Sequence, residues 1–299
     1  MAVLLLVTGC ESEAAAPVRG SAGVAARLPA AAARCVLTLP DAKAGRTAKA
    51  RLTRQVARYL DRRPGRVAYS ALDLVSGVTI GHRAHERGMI TASGSKVDIL
   101  MALLARRKQP LRGSERDLAA RMIRESDNQA ADTLWWRAGG GPGLAAFYRK
   151  LGLRETTPGA GRYWGGTTTT PADRVKLLKL LAEGGRGLRA ADREHVLGLM
   201  GRVHRDQDWG VSAAARPGDR VALKNGWTPR PFVHNTWAVT SYGRVTGPGR
   251  DLLLSVQTDH QPGESHGIAT IEGLAKLVGD RLDALAPSRT RACEAGPTA

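Results

Sequence analysis

Two rhythms of apolar and polar positions run along this chain, and each holds its own territory. Near the beginning, Leu52, Val56, Tyr59 and Leu60 recur at helical spacing between Arg and Lys, which predicts a helix over 44–61 closed by Pro64-Gly65. Residues 66–74 then alternate, with Val67, Tyr69 and Ala71 in phase. Val75-Ser76-Gly77 is a turn, and 78–82 reads as the hairpin partner. A helical rhythm follows over 97–105, over a stretch opened by Ser114 as N-cap, and over 130–136, 144–151, 172–182 and 190–203. Alternation returns over 220–227, 234–245 and 251–258. The chain closes on an amphipathic helix over 264–285 carrying Ile268, Ile271, Leu274, Leu277, Val278 and Leu282. Strands thus come from both ends and helices fill the middle. This predicts an α+β fold, an α/β sandwich: an antiparallel sheet flanked by the terminal helices, with an inserted all-helical lobe. A site would lie in the cleft between the lobes.

Composition sharpens this reading. The 299 residues suffice for one domain of two lobes, placed at 45–286. Residues 11–44, rich in Ala, Pro, Gly and Ser toward their start, read as a flexible tether, and 287–299 as a tail. The formal net charge is +18. Most of the excess is Arg scattered among Ala and Gly, and aromatics make up only 4%, so no basic run interleaved with aromatics marks a nucleic-acid surface. Nucleic acid is therefore not an expected partner; an anionic cell surface is compatible with the charge. Residues 1–9 are apolar but too short to span a bilayer. The run ends Val7-Thr8-Gly9-Cys10 and resembles the end of a bacterial lipoprotein signal, in which Cys10 would be lipidated, although the charged leader segment is missing. The seven His form no H-E-x-x-H pattern, and no Cys clusters with them, so neither a metal nor a cofactor is expected.

The chemistry concentrates in Thr91-Ala92-Ser93-Gly94-Ser95-Lys96, a small turn that enters the apolar helix. Residues three apart share a helix face, so the Lys96 amine can reach the Ser93 hydroxyl. A serine is a weak nucleophile until a base takes its proton, and a lysine serves once burial lowers its pKa. The helix mouth adds N–H donors suited to an oxyanion. Two further motifs follow in order: Ser126-Asp127-Asn128 at a turn, and Lys224-Asn225-Gly226 on the strand predicted over 220–227. Gly226 lets that strand approach a substrate closely. The Gly139-Gly140-Gly141 run reads as a helix stop and not as a phosphate loop, since no strand leads into it.

Ser-x-x-Lys, Ser-Asp-Asn and then Lys-Asn-Gly in place of Lys-Thr-Gly resemble the motif set of class A β-lactamases and penicillin-binding proteins. The resemblance covers about 45–286 and implies a β-lactamase/transpeptidase-like fold. It implies Ser93 as the nucleophile of an acyl-enzyme, Lys96 as its activator, and Ser126 as proton donor to the leaving nitrogen. Lys224 would hold Ser126 and help keep Lys96 neutral. Asn128 would bind the substrate amide, and Asp127 would hold the turn. The backbone N–H groups of Ser93 and Trp227 would form the oxyanion hole. Asn225 stands where the family carries a hydroxyl that helps bind a substrate carboxylate, so it is expected to bind substrate in a different pocket.

The deacylating base is the largest departure. The loop over 156–170 contains no Glu, and Glu155 at its edge is the one candidate, without the usual Glu-x-x-Asn pattern. The terminal helices of the resembled fold pack side by side. A Cys35–Cys293 bridge would fit that arrangement, with two free thiols as the alternative. The expectation is a monomeric, exported serine hydrolase at the cell membrane, lipid-anchored or secreted. Its partner would be a β-lactam or a peptidoglycan peptide. The alternatives are a D,D-peptidase or esterase-like enzyme, or a catalytically idle lipoprotein that binds peptidoglycan.

Overall fold

The computed structural model describes residues 36–107, 109–185 and 187–292. They divide into a compact body, Thr38–Arg289, and a second unit grouping the chain ends, of which residues 36–37 and 290–292 are described. Cys10, Cys35 and Cys293 lie outside the described residues. Strand β1 (Val36–Pro40) precedes helix α1 (Ala42–Leu60). The helix starts inside the stretch read as tether because Asp41 caps it, accepting from Ala44 N at 3.0 Å. Then come β2 (Arg66–Asp73), β3 (Thr79–His82), β4 (Met89–Ile90) and the central helix α2 (Ser95–Arg106). The helical lobe continues with α3 (Ser114–Arg124), α4 (Asn128–Arg137) and α5 (Gly140–Leu151). Strand β5 (Thr168–Thr169), α6 (Pro171–Glu183) and α7 (Ala190–Met200) complete the middle. Finally β6 (Arg220–Arg230), β7 (Thr236–Gly247) and β8 (Arg250–Gln261) lead into α8 (Glu264–Arg281) and β9 (Ser288–Ala292).

The main sheet is antiparallel with order β3-β2-β8-β7-β6, so strands from both ends of the chain meet at the β2–β8 seam, where Tyr69 faces Val256. One face packs on α1 and α8 through Leu52, Val56, Ile271, Leu274 and Val278, all buried. A second core fills the helical lobe around α2, with Leu100, Met101, Leu134, Trp135, Leu144 and Leu177. Each such side chain contributes roughly 1.5–3 kcal/mol of burial. Helix α2 is enclosed on every side: every residue from Ser95 through Leu104 is buried. Two local expectations shift. Ser114 is the first helical residue and Gly113 the cap, with no side-chain cap bond. The glycine run both ends α4 and opens α5, because Gly139 and Gly140 adopt positive φ and turn the chain straight into the next helix.

Enclosure of α2 includes one ion pair. Arg174 Nη1 meets Asp98 Oδ1 at 2.6 Å with both side chains fully buried, and Tyr148 Oη donates to Asp98 Oδ2 at 2.7 Å. Removing one partner of a buried pair leaves the other charge uncompensated. Asp98→Ala is therefore expected to lower stability by about 3–5 kcal/mol. The readout is the urea midpoint, and a midpoint unchanged from that of the parent protein contradicts this role.

Candidate active site

The nucleophile turn is the short 3-10 turn Ala92–Gly94 at the mouth of α2. Its neighbours are buried while Ser93 stays partly exposed. Ala92 holds φ +46° and Ser126 holds φ +58°. An L residue pays roughly 1–2 kcal/mol in the left-handed region, and such outliers concentrate at functional sites. Here they occupy the residue before Ser93 and the first residue of the Ser-Asp-Asn turn. Asp127 does hold that turn: its Oδ1 accepts from Ala130 N at 2.9 Å and caps α4, while Arg121 pairs with it at 3.2 Å.

All three motifs meet. Lys96 Nζ lies 3.0 Å from Ser93 Oγ, 2.6 Å from Ser126 O, 3.0 Å from Ser126 Oγ and 2.7 Å from Asn128 Oδ1. Lys224 Nζ reaches Ser126 Oγ from the other side at 3.1 Å and donates to Asn225 O at 3.0 Å. The polar chain therefore runs Ser93, Lys96, Ser126, Lys224. Burial pushes the Lys96 amine down to about 7, against the opposing pull of Asp127 and Asp132. Lys224 is fully buried, and that burial, with Lys96 close by, holds it well below its ordinary value. A neutral Lys96 amine has two N–H groups, which its two shortest contacts can take, and its lone pair is then free for the Ser93 proton.

Strand β6 is the sheet edge at the site. A Cβ on Gly226 would come 2.2 Å from Thr91 O and 2.8 Å from Ser93 N, so only glycine lets the strand lie against the nucleophile turn. Ser93, Asn128, Trp227 and Thr228 line a cleft of about 410 Å³, together with Ala92, Asp132 and residues 162–165 of the loop opposite. Trp227 packs edge-on against Trp209, with ring centroids 5.8 Å apart.

Two expected residues are placed elsewhere. Glu155 is not in the cleft. Its Oε2 binds His85 Nδ1 and Thr170 Oγ1, each at 2.9 Å, and Arg87 lies 3.6 Å from Oε1. Burial works to raise this carboxyl, but the bonds from His85 and Thr170 with the nearby Arg87 hold it below its ordinary value. Its carboxylate ties the loop to His85 and Thr170 and does not line the cleft. Asn225 is fully buried, and its amide donates to Gln207 O at 2.8 Å and Trp209 O at 3.0 Å. Those N–H groups are spent on a backbone loop and are not offered to a substrate.

Sequence reasoning also missed two residues. Trp164 lies with its ring 4.8 Å from Lys96 Nζ, and its Nε1 donates to Asp132 Oδ1 at 2.7 Å. Asp132 follows Asn128 by four residues, so the shared helix face was a readable signal. Trp164 sits in an irregular Gly-rich loop, where no periodicity points anywhere. The loop is tied down by threonines: Thr91 N and Oγ1 reach Thr167 O at 2.8 and 3.0 Å, and Thr156 Oγ1 meets Thr169 Oγ1 at 2.7 Å. Among the described residues no group of three or more His, Cys, Asp and Glu is placed to hold a metal ion.

An inserted helical lobe, an antiparallel sheet and a serine–lysine pair between them define the β-lactamase-like serine hydrolase superfamily. The chain belongs to the beta-lactamase enzyme family, whose model matches residues 104–282. It is 26% identical over 220 residues to a Mycobacterium tuberculosis protein described as "Putative lipoprotein LppW", covering 69% of this chain and 67% of that one. Solved structures share the fold. PBP-A, 21% identical, covers 78% of this chain and 96% of its own with a TM-score of 0.66. A variant of PBP-A solved as an acyl-enzyme complex with penicillin G is 20% identical, with 78% and 96% covered and a TM-score of 0.67. A class A β-lactamase from Mycobacterium abscessus is 24% identical, with 77% and 99% covered and a TM-score of 0.66.

Proposed function

We propose that the protein is an exported serine hydrolase that forms an acyl-enzyme through Ser93 on a β-lactam or a cell-wall-type amide and releases it slowly, as a penicillin-binding protein does. The observation that carries this reading is the unbroken chain Ser93–Lys96–Ser126–Lys224, with each link between 3.0 and 3.1 Å. Neutral Lys96 takes the Ser93 proton as Oγ attacks the carbonyl carbon. The oxyanion is received by the backbone N–H groups of Ser93 and Trp227. Ser126 Oγ gives its proton to the leaving nitrogen as the C–N bond breaks, and the proton held on Lys96 passes to Ser126. The product is an ester on Ser93 and a free amine. Asn128 Oδ1 already accepts from Lys96. Its amide N–H groups remain for the substrate carbonyl.

Release is slow in this reading because Glu155 is bound away from the cleft and Trp164, not a carboxylate, covers Lys96 on the loop side. The fold is equally like PBP-A and a class A β-lactamase, so slow release rests on the placement of Glu155 and Trp164. Attachment by a lipid at Cys10 is part of this reading, supported by the signal-like residues 1–10 and by the relative described as a lipoprotein. No described helix is long and apolar enough to cross a membrane. The protein acts as a monomer in this reading.

The test is intact mass after incubation with benzylpenicillin. The expected result is a lasting adduct of one drug per chain that maps to Ser93. Drug hydrolysed with no adduct would instead mean fast turnover. Neither adduct nor drug loss, together with no labelling of Ser93 by a fluorophosphonate, would sink the hydrolase reading.

A further inference from the structure

Helix α1 carries a charge pattern that its own stability does not explain. Its 19 residues include Lys43, Arg46, Lys49, Arg51, Arg54 and Arg58 and no Asp or Glu. Helices are favoured by acids in the first turn and by acid–base pairs three or four residues apart. In α1 the first turn holds Lys43 and no acid, and Arg51, Arg54 and Arg58 set like charges at those spacings. All six cations are exposed, and among the described residues none of them forms an ion pair. The acids around the helix are placed elsewhere. Asp41 caps its start, and Asp61 stands beyond its end as the C-cap. Asp280 lies 3.3 Å from Lys276, and Asp283 lies 2.7 Å from Arg216.

The cations are also aligned. Positions 43, 47, 51, 54 and 58 follow one stripe along the helix, opposite the buried Leu52 and Val56. A helix of 19 residues is about 28 Å long, so the stripe is a long, straight basic row. A groove of about 670 Å³ beside it adds Arg281 to Lys43 and Arg51, together with Ala44, Ala48 and Leu52. On the other flank a groove of about 530 Å³ leads from Lys49 to Arg83 and Lys176, and no acid is among the described residues that line it. This basic face is turned away from the candidate active site. Helices α1 and α8 cover the sheet face that carries Val239, Leu254 and Val256. The nucleophile turn lies on the other face, where Tyr242 Oη donates to Gly94 O at 2.8 Å.

We infer that α1 is a docking face for a bilayer surface that carries anionic phospholipid. A plane of headgroups meets the whole row at once, and each basic group near such a surface adds to the attraction. Helix α1 is also the first helix after the stretch that leads from Cys10 in the lipid-anchored reading. Docked through α1, the body holds the Ser93 cleft on its far side, facing away from the bilayer. The inference goes beyond the acyl-enzyme reading and does not depend on it.

The experiment uses the full chain with Cys10→Ser, so that no attached lipid contributes. Phosphatidylcholine vesicles are offered with and without phosphatidylglycerol. The expected result is sedimentation with the anionic vesicles and not with the neutral ones, reversed by high salt. The triple change Arg51→Gln, Arg54→Gln and Arg58→Gln is expected to weaken this binding at least about tenfold, since each basic group at such a surface is worth about fivefold. Its urea midpoint should not fall below that of the parent. A midpoint that falls would show that the cations hold the fold and would remove the ground for the inference. The control has equal charge loss in the helical lobe, with Arg149→Gln, Lys150→Gln and Arg154→Gln, all exposed. It is expected to bind like the parent. A control weakened as much as the α1 variant would reduce the binding to net charge and overturn the docking face. Failure to bind anionic vesicles overturns it too, and binding to soluble poly(glycerol phosphate) in that case would assign the row to a polymer. Ser93→Ala should bind vesicles undiminished, so docking and catalysis stand or fall separately.

Discussion

Ser93→Ala is expected to abolish covalent capture of benzylpenicillin and to cut any acyl-transfer rate by at least about a thousandfold. The argument is one of position. Ser93 Oγ is the hydroxyl that lies 3.0 Å from the Lys96 amine and borders the open cleft. Its neighbour Ser95 is fully buried and gives its hydroxyl to Ala92 O at 2.9 Å, so it cannot substitute. The change should leave the fold intact, because Ser93 is partly exposed and its hydroxyl bonds with Lys96. Circular dichroism and the urea midpoint should match the parent protein. An adduct of undiminished yield in Ser93→Ala would show that the serine–lysine pair is not the reacting centre.

The second large effect is on pH. Lys96 acts as a base only when neutral, and burial holds its amine at about 7. The protonated form predominates below that value and the neutral form above it. The acylation rate should therefore climb about tenfold per pH unit well below 7 and level off above about 8. Lys96→Met should remove this limb and lower the rate by about 10²–10⁴. Lys96→Arg should be as flat and as slow, since a guanidinium does not deprotonate in this range. A stopped-flow or mass-based rate profile from pH 5 to 9 decides it. A limb that survives in Lys96→Met would assign the titration to another group.

The order of the three motifs was legible because each carries a local signal: a small residue turn into a helix, a polar turn, and a strand with Gly226. The alternation over 66–82 and 220–258 likewise announced the sheet, whose register follows from which face is apolar. The roles of Asn225 and Glu155 were not legible in the same way. A side chain's type says what it can donate; its partners are set by residues distant in sequence. Asn225 is taken by carbonyls at 207 and 209, and Glu155 by His85 and Thr170. Trp164 escaped for a related reason. It occupies a loop whose course depends on long-range bonds such as Thr91 to Thr167, and no periodic pattern records those. Asp98 was hidden inside an apolar-looking helix, since its partner Arg174 lies 76 positions away.

The threonine ties of the 156–170 loop have a consequence for how this protein could change over generations. The loop's course is held by Thr156, Thr167 and Thr169, which are all buried away from solvent, and by Thr91 across the β4–β5 ribbon. The side chain that looks at Lys96 belongs to a different position, Trp164. Scaffold and chemistry are thus encoded by separate codons. A single mutation at position 164 would exchange what faces Lys96 while the loop's anchors stay in place. If Ser93 is acylated as proposed, retention or release of the acyl group would then be open to selection at that position without rebuilding the fold.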